Sequence, residues 1–185
     1  FNKKKFQSNK QRVEVLQNWI ADAPNIGCRI SISESLMAGK KIFVYAGNMG
    51  IAQGMEKLID LAEALSYRDD VAFLFVGRGS SSEKLKLESM SRSLKNTAFF
   101  NEIDPSEIPG LLEQCHFGLI VLDPRHKTHN IPGKFLSYLQ SGLPVLATIN
   151  SGNDLEQVIH KERVGRVYTN KSKGTLVSLA EDLIN

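Results

Sequence analysis

The residues best suited to chemistry lie around Lys134, where a glycine and a lysine open a short amphipathic helix. Pro132 suits the first helical position, because its missing N–H costs no hydrogen bond there. Gly142 suits the left-handed residue after the helix, and Pro144 prevents the helix from continuing. A helix N-terminus with Gly133 and Lys134 favours an anion, and a phosphate fits best. The alternative is a core helix whose lysine is solvated.

The spacing of apolar residues predicts which side of this helix faces the protein. Phe135, Leu136 and Leu139 lie three or four positions apart and form an apolar stripe. Lys134 and Ser137 fall on the polar side, which we expect to face a ligand or solvent.

Continuously apolar runs alternate with amphipathic runs from Lys41 onward. The predicted strands are 42–46, 71–76, 97–100, 117–122, 144–148 and 165–168. The predicted helices are 55–65, 82–94, 105–115, 132–141, 154–160 and 175–184, with Leu85, Leu87 and Met90 of the second helix facing inward. This alternation indicates an α/β fold with a doubly wound, Rossmann-like parallel sheet covered on both faces. Ligands of such sheets bind outside the carboxyl ends of the strands.

Glycine-rich loops follow several of these strands and supply further candidates. Gly47, Asn48 and Gln53 follow the first strand, and the amides could donate to phosphate oxygens or close their own loop. Arg78 lies between two glycines, and its guanidinium could donate two parallel hydrogen bonds to a phosphate. The spacing fits neither a dinucleotide fingerprint nor a Walker loop, which makes NAD and ATP-hydrolase interpretations weak.

Other reactive side chains do not assemble into a site. His126 and His129 have only Asp123 as a nearby carboxylate, so we expect no metal. The two cysteines are too few and too distant for a metal site or a disulfide framework. Glu102 and Asp104 suit a helix lead-in and cap better than an acid–base pair. No Ser/His/Asp or Cys/His nucleophile can be assembled from the sequence.

Composition and charge indicate an ordinary globular protein rather than a nucleic-acid binder. The net charge is only +3, and much of it lies in the first dozen residues. No apolar run is long enough to span a bilayer, although a weak contact with an anionic membrane surface stays open. We predict a lead-in or interdomain linker at 1–39, packing on the doubly wound domain at 40–185. Both chain ends suggest a fragment of a longer protein.

The motifs resemble those of one enzyme family. The chain is similar to the C-terminal, donor-binding domain of GT-B glycosyltransferases of family four, above all bacterial O-antigen and capsule enzymes such as N-acetylfucosaminyl transferases. The matching residues are Gly47-Asn48-Met49-Gly50, Gln53-Gly54, Pro132-Gly133-Lys134, Tyr138 and Gly142-Leu143-Pro144-Val145.

The resemblance implies a nucleotide-diphosphate sugar as substrate, UDP-linked by expectation, and no cofactor. It places Gly47, Asn48, Gln53, Arg78, Gly133 and Lys134 at the diphosphate, Asn101, Glu102, Ile103 and Ser137 at the base and ribose, and His129 and Asn130 at the sugar. The implied reaction is retaining transfer to a lipid-linked or glycan acceptor in surface polysaccharide synthesis, with no nucleic acid involved. The resemblance assigns no catalytic residue to this chain, any that an N-terminal domain of the same protein contributes are absent here, and we expect this chain to be inactive alone. The implied location is the cytoplasm, at the inner face of the membrane.

The sequence also departs from the family pattern. Asn48 and Gln53 stand where the wider family has an arginine and a lysine, and His129 and Ser137 stand where it has two glutamates. The usual carboxylate grip on the ribose hydroxyls is therefore absent at Ser137. The alternatives are a nucleotide-sugar epimerase of the same fold and a non-catalytic doubly wound binding module.

Overall fold

The computed structural model describes residues 19–21, 24–50, 54–123 and 131–185. The strands are β1 (Lys41–Ala46), β2 (Val71–Val76), β3 (Thr97–Phe100), β4 (Phe117–Val121), β5 (Val145–Thr148) and β6 (Gly165–Tyr168). The α-helices are α1 (Glu56–Ala64), α2 (Ser82–Ser91), α3 (Ile108–Leu112), α4 (Gly133–Gln140), α5 (Asp154–Glu162) and α6 (Leu176–Ile184), and a 3-10 helix (Pro105–Glu107) precedes α3. Within these residues no helix has the length and apolar character needed to cross a membrane.

The strands form one parallel sheet in the order β3-β2-β1-β4-β5-β6. The chain builds outward from β1 to β3, then crosses over to place β4 on the other side of β1. The strand order therefore reverses between β1 and β4, and the loops after these two strands flank a crevice at the carboxyl edge. The predicted doubly wound parallel sheet is confirmed.

Helices cover both faces of the sheet, as the continuously apolar strands require. Successive side chains of β1 point to opposite faces. Ile42 and Val44 pack with residues of α3, α4 and α5, whereas Phe43 and Tyr45 pack with residues of α1, α2 and α6. Two core layers therefore hold β1 rigidly, and its carboxyl end is a fixed base for the loop that follows.

Helix α4 begins one residue later and ends one residue earlier than predicted, and Gly142 follows it as the left-handed residue. Pro132 is the N-cap, with φ −62° and ψ 136°, because its extended ψ keeps it outside the helix, and Gly133 is the first helical residue. At the other end Gly142 has φ +71°. The Leu143 N–H donates to the Tyr138 carbonyl at 2.9 Å, the long hydrogen bond of a Schellman motif.

The predicted inner face of α2 is wrong for two of its three residues. Leu85 is fully buried, but Leu87 and Met90 are exposed. Ser89 shares the buried side with Leu85, and its hydroxyl lies 2.5 Å from that of Thr97. The physical reason is helix geometry, since two residues of advance rotate a side chain by roughly 200° and four residues return it to the same face.

Part of the predicted lead-in packs against the face that α3 covers. Ile30, Ile32 and Met37 are buried. The Gln114 amide donates to the Ile30 carbonyl at 3.0 Å, and its oxygen accepts from the Ile32 N–H at 2.9 Å. Residues 1–18 and 22–23 lie outside the described residues, and the domain division near residue 39 stays a prediction.

Candidate functional site

A crevice of about 320 Å³ lies at the point where the strand order reverses. The end of β1 forms one wall, α3 a second and the first turns of α4 a third. Its lining residues are Ala46, Gly47, Ile108, Leu112, Lys134, Ser137 and Tyr138. The described part of this lining is largely apolar and carries one cation at a helix N-terminus, which suits a ligand that carries a phosphate beside less polar groups.

Among the described residues that line this crevice, Lys134 is the only one with a charged side chain. Its Nζ lies 3.7 Å from the centroid of the Tyr45 ring, and a carbon placed on Gly47 would lie 3.7 Å from the same Nζ. No carboxylate of the described residues pairs with it, and burial lowers the pKa of Lys134 from 10.5 to about 7. A desolvated ammonium without a counter-ion is a strong binder of an incoming anion.

The backbone and one tyrosine hold the loop after β1. The Gly47 N–H donates to the Val76 carbonyl at 2.9 Å, and the Tyr45 hydroxyl donates to the Asn48 carbonyl at 2.7 Å. The Asn48 side chain is exposed, and no described residue hydrogen-bonds its amide. Asn48 therefore does not close its own loop through any described residue, and its amide is exposed to solvent.

The glycines on either side of Arg78 allow two loops to pack backbone against backbone. A carbon added at Gly77 would lie 2.0 Å from the Gly47 carbonyl oxygen, and one added at Gly79 would lie 2.5 Å from Met49 backbone atoms. Both glycines also have positive φ, at +147° and +149°. This pair of glycines is therefore a packing device that brings the Arg78 loop against the β1 loop.

Arg78 is paired with a residue predicted to lie at the nucleotide base. Its Nε lies 2.9 Å from the Glu102 carboxylate, and the two side chains are 80% and 54% exposed. A smaller recess of about 110 Å³ joins Arg78 and Asn101 to Met49. Because an exposed ion pair contributes little, a phosphate could replace Glu102 as the partner of Arg78. Ile103 is half-buried and packs against the core, so only its backbone suits contact with a base.

Asp104 acts as a helix cap, as predicted. Its carboxylate accepts from the Ser106 N–H at 2.9 Å, and the Glu107 carboxylate accepts from the Asp104 N–H at 3.3 Å. This capping box starts the 3-10 helix before α3. Glu102 and Asp104 therefore have structural partners and do not form an acid–base pair.

Tyr138 fixes α4 against the sheet, a role that the spacing of apolar residues did not reveal. Its hydroxyl lies 3.2 Å from the Val44 carbonyl and 3.3 Å from the Leu119 carbonyl, and it accepts from the Ala46 N–H at 3.3 Å. A carbon added at Gly118 would lie 2.3 Å from the Tyr138 ring. The available sequence signal was that glycine within an apolar strand, which marks a close approach.

Comparison with known proteins identifies the family. The profile of the family described as "Glycosyl transferases group 1" matches residues 30–185, most of the chain. The chain belongs to the group 1 glycosyl transferases. This membership confirms the resemblance that the motifs indicated.

Two curated relatives of this group 1 domain are bacterial. WbjE of Pseudomonas aeruginosa, named as a probable glycosyltransferase, is 23% identical over 127 residues, which cover 69% of this chain and 32% of that protein. WcaI of Escherichia coli K12, whose name assigns it to colanic acid biosynthesis as a glycosyl transferase, is 31% identical over 120 residues, 64% of this chain and 29% of that protein. The chain matches about a third of the length of these relatives.

Solved structures of low sequence identity show the same fold. A mutant of TarM from S. aureus, in complex with UDP and other ligands, has a TM-score of 0.70 at 16% identity. The match covers 98% of this chain and 34% of the TarM chain. The C-terminal domain of LpcC, a group 1 glycosyl transferase of Francisella tularensis, has a TM-score of 0.60 at 17% identity and covers 78% of this chain and 75% of its own. HepE of Anabaena, in complex with UDP-glucose, has a TM-score of 0.58 at 18% identity and covers 80% of this chain and 39% of its own.

Some of the remaining candidate residues of this group 1 domain lie at the crevice, and the others lie outside the described residues. Ser137 lines the crevice one turn after Lys134, and a carbon added at Gly133, the first residue of α4, would have no described atom within 4 Å. Gln53, His129 and Asn130 lie outside the described residues, so their roles stay predictions. His126 lies there too, which leaves Asp123 as the only described member of that group.

Proposed function

We propose that this chain is the part of a sugar transferase that binds a nucleotide-diphosphate sugar, UDP-linked, whose sugar is then passed to a lipid-linked or glycan acceptor in bacterial surface polysaccharide synthesis. Family membership supports the transferase activity. The names of the relatives support the pathway, since one is assigned to colanic acid biosynthesis and a structural neighbour, WaaG, to lipopolysaccharide biosynthesis. The UDP and UDP-glucose complexes of TarM and HepE support the donor.

One observation carries the proposal: the Lys134 ammonium lies at the N-terminus of α4 with no carboxylate partner among the described residues. In the proposed complex the donor diphosphate supplies the missing counter-charge, at a helix end that already favours anions. Gly47 and Gly133 leave room for the phosphates beside the backbone. Arg78 adds a second cation when it exchanges Glu102 for a phosphate oxygen.

The proposed chemistry is electrostatic. The sugar–phosphate bond breaks as negative charge grows on the leaving diphosphate, and preorganised cations and backbone donors lower the energy of that charge. Lys134 needs no conformational search to do so, because Tyr45, Gly47 and the crevice wall already surround it. No nucleophile from the described residues enters this scheme.

Calorimetry with UDP, GDP, ADP and uridine at pH 6.5 tests the proposal. We expect UDP to bind, uridine to bind far more weakly, and Lys134→Met to weaken UDP at least about tenfold, since a hydrogen bond to a charged group contributes about 1.5–3 kcal/mol. Lys95→Met is the matched control, because Lys95 is exposed at the opposite edge of the sheet. If no nucleoside diphosphate binds, or if Lys134→Met binds UDP as tightly as the wild type, the assignment is wrong.

A further inference from the structure

Tyr45 contacts both halves of the phosphate site. It is the fifth residue of β1, and its side chain is fully buried on the sheet face that α1, α2 and α6 cover. Its hydroxyl donates to the Asn48 carbonyl at 2.7 Å, and its ring supports the Lys134 Nζ at 3.7 Å. Lys134 belongs to α4, on the other face of the sheet, so its side chain passes over the end of β1 to reach the ring.

An ordinary core tyrosine needs only a partner for its hydroxyl. Tyr138, the other tyrosine near the crevice, fits that description, because its hydroxyl bonds to strand backbone. Tyr45 differs in that its hydroxyl restrains a ligand-side loop while its ring face carries an ammonium. Phenylalanine at this position would keep the contact of the ring with the ammonium and lose the hydrogen bond of the hydroxyl to the loop. Leucine would lose both contacts.

We propose that Tyr45 is a positioning residue for the donor diphosphate, with its hydroxyl setting the loop after β1 and its ring setting the Lys134 ammonium. This inference rests on the proposed function, because the ligand is the same diphosphate. One rigid side chain thereby fixes the distance between the Gly47–Asn48 backbone and the Lys134 cation. The two groups would otherwise move independently, since one lies on a loop and the other on a flexible four-carbon stem.

The surroundings of Lys134 make the ring contact matter. Ile108 and Leu112 of α3 and Ser137 and Tyr138 of α4 line the crevice beside Lys134. Tyr138 is the only other titratable group in the described lining of the crevice, and Tyr45 lies against Lys134 from β1. Burial raises the pKa of both tyrosines, so both are neutral near pH 7. Among the described residues, the ring face of Tyr45 is therefore the main electrostatic support of the ammonium before an anion arrives. The free energy of a desolvated cation–π contact corresponds to about a threefold to thirtyfold change in an equilibrium constant, here that of anion binding at Lys134.

Two substitutions separate the two contacts. We expect Tyr45→Phe to weaken UDP binding about tenfold through the released loop, while the pKa of Lys134 stays near 7. We expect Tyr45→Leu to weaken binding by about threefold to thirtyfold more and to lower the pKa of Lys134 below its wild-type value, because the charged form loses the ring face that supports it. Tyr67→Phe is the matched control, since it removes an exposed hydroxyl that bonds Glu181 far from the crevice.

The measurements are UDP calorimetry between pH 6 and 9, and a pH titration of the Lys134 side chain by NMR without ligand. Thermal unfolding of each variant shows that it is folded, and Tyr45→Phe keeps the test available if the leucine variant is not. The inference is wrong, and Tyr45 is only a core residue, if the wild type binds UDP and both Tyr45 variants bind it as tightly as the wild type with an unchanged Lys134 pKa. If the wild type binds no UDP, the proposed function fails, and this inference fails with it.

Discussion

Replacing Lys134 by methionine should stabilise the protein in a pH-dependent way. In the folded chain burial lowers the pKa of Lys134 to about 7, whereas an unfolded chain has the ordinary value of 10.5. Each unit of pKa difference corresponds to about 1.36 kcal/mol, so keeping the buried ammonium charged costs on the order of 5 kcal/mol below pH 7. Methionine fills similar space without a charge and removes that cost.

The extra stability of Lys134→Met over the wild type should decrease as the pH rises. Between pH 7 and 10.5 the folded protein has released the Lys134 proton and the unfolded chain still holds it, so the wild type becomes more stable relative to the variant by about 1.4 kcal/mol per pH unit. Urea unfolding of both proteins at pH 6, 7, 8 and 9 measures the gap in free energy of unfolding. We expect it to be constant below pH 6.5 and to narrow by about 2–3 kcal/mol between pH 7 and 9.

Two further measurements sharpen this test. Lys95→Met removes an exposed lysine at the opposite edge of the sheet and is the matched control for the change of side chain. Saturating UDP should stabilise the wild type at pH 6.5 and Lys134→Met far less, because a ligand stabilises only the form that binds it. A gap for Lys134→Met that stays constant from pH 6 to 9 would refute the reasoning, since it would mean that Lys134 is solvated and has an ordinary pKa.

Three other predictions follow from the geometry. Gly118→Ala should destabilise the protein by about 1–3 kcal/mol in urea unfolding, because the new methyl group would overlap the Tyr138 ring at 2.3 Å. Gly133→Ala meets no atom of the described residues within 4 Å and should stabilise it by about 0.4–1 kcal/mol, because alanine has less conformational freedom than glycine to lose on folding. Glu102→Gln should tighten UDP binding in calorimetry by releasing Arg78 from its ion pair, whereas Arg78→Gln should weaken it, and neither should shift the thermal midpoint appreciably.

Much of the fold could be predicted from local sequence patterns. The buried runs from Val71 to Val76 and from Phe117 to Val121 have no periodicity, which is typical of strands covered on both faces, and both are fully buried. Gly142 marked the end of α4 correctly, because a left-handed residue after a helix is a local requirement. The face of α2 was predicted wrongly because Leu87 was chosen for its apolarity rather than for its angular position.

The candidate site was predictable only in part. Lys134 and Gly47 were recognisable from their types and from the ends of their elements, and the structure brings them together. The ion pair of Arg78 with Glu102 joins the ends of two strands, and nothing in either local segment indicates it. Tyr45 was missed because a tyrosine in an apolar strand has the same local signature as a core residue.

The sequence by itself determined the order of strands and helices, the family motifs and the loops that carry the candidate residues. These features depend on residues within a few positions of one another, where periodicity and turn chemistry act. Only the tertiary structure decided that Lys134 is desolvated and rests on the Tyr45 ring without a carboxylate partner among the described residues. The charge state of a side chain depends on its burial and on its neighbours, and packing sets both by bringing together residues that are far apart in the chain.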